Sequence, residues 1–183
     1  TSGGVFVGSA SGGVPNIYVN LTQTAAANPR NFQITNTAGQ TGTVNVSGAG
    51  ILTTTGFFMG DNGGGNSTFN LSGGTVTNSG QTWITGSNNT INVSGGTFNS
   101  TGTFEYGAGV ANGVSSMTVN GTGTINLGSM TIGRTTSSTT TLNLGTGSAG
   151  GNLSISGISW VGGSNTINFN GGTLTTSGAI TIS

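Results

Sequence analysis

Charge is nearly absent from this chain. Of its 183 residues, two are Lys or Arg and two are Asp or Glu: Arg30, Arg134, Asp61 and Glu105. There is no Lys, no His and no Cys, and the formal net charge is zero. A surface with two cations cannot neutralise a run of phosphates, so no nucleic-acid partner is expected. Without Cys there is neither a disulfide framework nor a thiolate metal site. No apolar run reaches the roughly 18–20 residues that span a bilayer, so no membrane span is expected. The opening "TSGGVFVGSA" has no basic start and no apolar stretch of signal-peptide type, as in a processed chain or an excised segment.

The same scarcity bears on catalysis. Acid–base chemistry needs positioned groups that change protonation near neutral pH, and here two carboxylates are left. Asp61 falls in the Gly/Asn loop Gly60–Ser67, and Glu105 falls mid-strand in a different repeat. Nothing supports their acting as a glycosidase-like pair, so no catalytic residue is expected. One carboxylate with Asn side chains and carbonyls is also a poor cage for Ca²⁺, so that loop reads as a plain turn. Neither a cofactor nor a metal site is expected.

What the chain has is glycine, 38 residues of it, and a repeat. "NTINVSGGTFNSTG" (Asn89–Gly102) is written again as "NTINFNGGTLTTSG" (Asn165–Gly178). The apolar–polar–apolar core of that phrase is centred on Tyr18, Asn45, Asn70, Asn92, Thr118, Asn143 and Asn168, at intervals of 27, 25, 22, 26, 25 and 25 residues. A second short strand follows each, as in Gly74–Gly80, Gly96–Gly102 and Gly172–Gly178. A third comes next: Phe57–Gly60, Trp83–Gly86, Phe104–Gly107, Met130–Gly133 and Ile158–Trp160. Apolar–polar alternation over three to five positions is the strand signature. A hairpin meander would not repeat three different strands with one period, whereas a parallel β-helix does, each strand pairing with its equivalent one coil later. The expected fold is therefore all-β, a single-domain β-solenoid over 1–183. It would have about seven coils of ~25 residues with three short strands each and no separate cap. The repeat is weakest over 20–40.

Alternation also assigns faces. Ile91 and Val93 should point inward with Asn92 outward, and Val76, Phe98, Ile125 and Leu174 should point inward. The third strand should bury Phe57 with Met59, Phe104 with Tyr106, Met130 with Ile132, Ile158 with Trp160, and Trp83. Phe6, Phe58 and Ile84 are then expected outside, and Phe58 with Ile84 in adjacent coils would form a lateral contact patch. Outward Thr pairs on the second strand (Thr53 with Thr55, Thr75 with Thr77, Thr173 with Thr175) suggest an ice-binding ladder, but Asn99 and Asn126 interrupt it.

The phrases "NLSGGTVTNSG" (Asn70–Gly80), "NVSGGTFNSTG" (Asn92–Gly102) and "FNGGTLTTSG" (Phe169–Gly178) resemble the autotransporter-associated β-strand repeats of large bacterial surface proteins. The resemblance implies a right-handed parallel β-helix on a bacterial surface with adhesive or structural work. The chain departs from that pattern in carrying no translocating barrel.

The expected function is that of a non-enzymatic extracellular structural protein, partnered by copies of itself. The opening "VFV" (Val5, Phe6, Val7) and the closing "ITI" (Ile180 to Ile182) are both third-strand sequences without Pro or charge, so tail is expected to dock on head. The alternative is an adhesin or stalk segment at the cell surface, binding glycans or other cells through loops that vary after the third strand. An ice-binding protein is the lesser alternative.

Overall fold

In the computed structural model the described residues are 5–7, 21–22, 31–60, 65–107, 110–133 and 135–181, with strand path alone along 5–7 and 21–22. They form a β-solenoid: every named strand pairs in parallel, and each pairs with its equivalent in a neighbouring coil.

Three ladders run along the axis. The first joins β4 (Thr41–Val46), the start of β6 (Asn66–Ile84), the start of β7 (Asn88–Ser100), β9 (Val114–Val119), β11 (Thr139–Leu144) and β13 (Ser164–Phe169). The second joins β2 (Leu21–Thr22), the start of β5 (Ile51–Met59), the middle of β6, the end of β7, and the starts of β10 (Thr124–Ile132) and β12 (Asn152–Trp160), ending on β14 (Thr173–Thr176). The third joins β1 (Val5–Val7), β3 (Asn31–Ile34), the ends of β5 and β6, β8 (Phe104–Tyr106), the ends of β10 and β12, and β15 (Ile180–Thr181). About six coils are complete, one fewer than the sequence period suggests. Of the coil centred on Tyr18, the described residues include its second and third strands, β2 and β3, and the first lies outside them.

Like stacks on like because register is continuous from coil to coil. Val46, Leu71, Val93, Val119 and Leu144 make one buried column of the first ladder, and Leu52, Val76, Phe98, Ile125 and Leu153 make one of the second. Aromatic rings gather toward the first coils: Phe57 lies edge-on to Phe69 (centroids 5.1 Å apart) and to Phe98 (5.4 Å), and stacks on Phe32 (5.4 Å). Outside, the polar centres of the first strand form an amide ladder. Asn70 Nδ2 donates to Asn45 Oδ1, Asn92 Nδ2 to Asn70 Oδ1 and Asn168 Nδ2 to Asn143 Oδ1, each at 2.8 Å. Such cross-strand pairs are the unit of sheet stabilisation.

The corner between second and third strands is built from inward polar groups. Thr54 Oγ1 donates to the Gly56 carbonyl at 2.8 Å. Asn78 is fully buried, and its Nδ2 donates to Gly80 O, Gln81 O and Thr82 Oγ1, while Thr82 and Ser100 share a hydroxyl–hydroxyl hydrogen bond of 3.0 Å. These bonds pair the inward polar side chains with corner carbonyls and with one another.

Candidate functional site

The polar corner reverses one expected orientation. In β6 the inward residues of the third strand are Thr82 and Ile84, not Trp83. Thr82 pairs in register with Phe57 and Phe104, and Trp83 with Phe58 and Glu105. The physical cause is Asn78, which holds the Thr82 hydroxyl inside. Ile84 is thus 0 % exposed and belongs to the core, which corrects its assignment to a lateral patch. Phe58 does point outward, but at 8 % exposure it is covered, its ring 5.7 Å from Trp83 and edge-on to it. The outward column of this face reads Gln33, Phe58, Trp83, Glu105, Thr131, Ser159. Ile84→Ala is expected to destabilise the fold by about 2–4 kcal/mol in thermal denaturation, as a buried Ile does and a surface Ile does not.

The second-strand Thr pairs also shift. Thr53 stands in register with Thr77, so Thr75 meets Ile51 and Thr55 falls at a break in the ladder. The Thr lattice on that face is correspondingly less regular than the sequence spacing suggests.

Glu105 is the carboxylate side chain that lies among the described residues; Asp61 lies outside them. No three His, Cys, Asp or Glu gather among the described residues, and no helix there is long and apolar enough to cross a membrane. One buried titratable group has a defined role. Tyr106 donates its phenol to the Thr141 carbonyl at 2.7 Å, and burial pushes its pKa well above the ordinary tyrosine value. Because the folded pKa is raised, this stabilisation is complete below the unfolded pKa of about 10 and is lost as pH climbs past it toward the folded value. The thermal midpoint should hold through pH 9 and fall above pH 10 or so, and Tyr106→Phe should shrink the fall.

Among the described residues, the exposed large apolar side chains Phe169 and Ile180 both lie on the terminal coil. Its strands β13, β14 and β15 each pair on one side alone, with β11 and β12. Phe169 ends the column of Leu144 and Val119 yet is 58 % exposed, and Ile180 ends the column of Ile158 and Met130 yet is 42 % exposed. Ile167, Leu174 and Trp160 are half-buried beside them. Of these residues sequence reasoning singled out Ile180 as an interface; Phe169, Ile167 and Leu174 carry the same signal, since each is the last member of its own repeat column. Ile182 lies outside the described residues. At the other end, Val5, Phe6 and Val7 stand in register with Phe32, Gln33 and Ile34. A single column therefore runs from Val5 through Phe32, Phe57, Thr82, Phe104, Met130 and Ile158 to Ile180.

The loops after the third strand line one edge. Those of adjacent coils touch: Asn112, in the left-handed region at φ 61°, donates its backbone N–H to Ser137 Oγ at 3.2 Å, and Thr135 Oγ1 donates to Val110 O at 3.2 Å. The chain matches no protein-family model, no curated protein and no solved structure.

Proposed function

We propose that this chain is a non-enzymatic extracellular structural protein, a β-solenoid subunit that assembles head to tail with copies of itself into a surface filament. The observation that carries the reading is the terminal coil, where three strand edges and the apolar side chains of Phe169 and Ile180 face outward together. No residue from Ser164 to Thr181 is charged or Pro, the residue types that blunt a sheet edge from within its own strands. A helix or a single strand would satisfy one edge at most. A coil with a strand in each ladder satisfies all three, and at the head of a second copy the described strands β1 and β2 lie in the third and second ladders, β1 opening the column that Ile180 ends. Each apolar side chain fully buried in the joint is worth about 1.5–3 kcal/mol. The contact is heterologous, tail on head, and so propagates as an open filament. The likeness of the Asn70–Gly80 and Asn92–Gly102 phrases to bacterial surface repeats supports an extracellular setting.

A second reading, a stalk or adhesin segment that binds glycans or cells, is favoured by the hydrogen-bonded loop ridge at Val110–Gly113 and Thr135–Ser138. Two variants separate the readings. Phe169→Asp at the tail and Val5→Pro with Val7→Lys at the head should each abolish long assemblies in light scattering while the strand signal in circular dichroism persists. Assemblies that survive both changes, or that are lost only on altering the loop ridge, would reject end-to-end docking. Asp61→Asn with Glu105→Gln should leave assembly unaltered, since the proposed joint is apolar and Glu105 lies in β8, between β6 and β10.

A further inference from the structure

Asn is followed directly by Gly at 62–63, 112–113, 120–121 and 170–171. Such a step can modify itself without an enzyme. The glycine backbone nitrogen attacks the Asn Cγ and gives up its proton, the side-chain amide leaves as ammonia, and a five-membered succinimide closes. Water then opens the ring. Cleavage at Cγ leaves an aspartate; cleavage at the α-carbonyl leaves an isoaspartate, whose main chain runs through the former side chain. Glycine favours the attack because no Cβ shields its nitrogen. A folded chain opposes it by hydrogen-bonding the glycine N–H, by holding the Asn side chain, or by fixing the backbone that must turn.

The described steps are not alike in these restraints. Gly113 is buried and its N–H donates to Val110 O at 3.2 Å, so the nucleophile at 112–113 is occupied. Asn120 Nδ2 donates to Thr146 Oγ1 at 3.4 Å, and the Asn120 carbonyl accepts the Gly123 N–H at 2.9 Å. That corner is also held between coils, with Asn120 N–H donating to Val93 O and Gly145 N–H to Val119 O. At 170–171 these restraints are missing among the described residues. Asn170 and Gly171 are both exposed, and neither the Asn170 side-chain amide nor the Gly171 N–H has a hydrogen-bond partner there. The anchors lie to either side: Asn170 N–H and Gly172 N–H both donate to Leu144 O, at 2.7 and 3.1 Å. The step joins β13 to β14, which each pair on one side alone, so it opens locally at less cost than the inner corners.

Its position gives the reaction a consequence. Asn170 follows Phe169, the exposed apolar side chain of the proposed joint, so the new carboxylate would stand at the docking edge. Burying an unpaired charge there costs far more than burying a neutral amide, and a charge on a strand edge blunts its pairing.

We propose that Asn170 is a self-modification site, and that its conversion to a carboxylate ends growth at the tail. The second part rests on the end-to-end reading above; the first does not. The test holds the full chain dilute at mildly alkaline pH over days, then reads the exchange of amide for acid at each Asn-Gly step by mass spectrometry of its proteolytic fragments. Among the three described steps, Asn170 is expected to convert first, about tenfold ahead of Asn112 and Asn120. Asn170→Gln should hold its amide, because its longer side chain closes the ring far more slowly. Equal rates at the three steps, or Asn112 or Asn120 ahead, would overturn the site. Light scattering reads the consequence. Asn170→Asp should lose long assemblies, whereas Asn112→Asp, of equal charge on an exposed loop, should keep them, with circular dichroism checking the strand signal of both. Long assemblies from Asn170→Asp, or their loss from both variants, would overturn the effect on growth. Dispersed subunits from the fresh unmodified chain would overturn the end-to-end reading and that effect with it, while the fragment masses still decide the site.

Discussion

Replacing Phe98 by Ala is expected to lower stability by about 3–5 kcal/mol, the range for a large aromatic truncated in a close-packed core. Phe98 is buried in the middle of the rod and is edge-on to three rings, Phe57 at 5.4 Å, Phe69 at 6.0 Å and Phe104 at 6.4 Å. Each such pair is worth about 0.5–1.5 kcal/mol beyond area burial, so the loss should fall toward the upper end. Little relaxation is available to fill the hole, because Phe98 and its neighbours in the adjacent coils, Val76 and Ile125, are held in one ladder. In a chain of this length the change corresponds to a fall of roughly 8–15 °C in Tm. Thr131→Ala, on the outward column of the third face, should change Tm by little. Equal shifts for the two would contradict the inward and outward assignment.

The second large effect is expected at a glycine corner. A Cβ on Gly102 would land inside van der Waals contact of the Gly80 carbonyl in the coil below, and one on Gly80 would meet the Thr55 carbonyl in the same way. The clash is backbone against backbone, so no rotamer change relieves it. Gly102→Ala must either part the coils or bend the corner, at a cost of about 3 kcal/mol or more as overpacking. Gly39→Ala is the control. That glycine has φ 83° and nothing within 4 Å of the added Cβ, so it carries only the backbone penalty of about 1–2 kcal/mol. Urea unfolding of both variants separates the terms: a Gly102 effect no larger than the Gly39 effect would mean the coils are not in contact at that corner.

These two positions also show what could be read from the sequence. The columns of Phe98, Phe104 and Val76 followed from alternation alone, because a strand has a period of two and the repeat has one of about 25. Trp83 and Ile84 could not be placed that way. Thr-Trp-Ile-Thr alternates acceptably in either phase, and size argues for burying Trp. What decides the phase is Asn78, four residues earlier and fully buried, whose amide captures the Thr82 hydroxyl. Inward polar residues such as Thr54, Asn78 and Ser100 leave no hydrophobic signature, so apolar periodicity passes over them. The terminal coil was half legible. Ile180 is marked by its strand, but Phe169 reads in sequence as one more column member, and its 58 % exposure is visible only in the structure, where β13 pairs with β11 alone among the described strands.

In the proposed assembly the terminal coil is a joint for the head of another copy. Light scattering of the purified chain across a wide concentration range tests it most directly. The expected result is a mass that climbs with concentration well beyond 17.7 kDa, and loss of that climb in Phe169→Asp. A single species of 17.7 kDa at every concentration would contradict it and favour the stalk or adhesin reading.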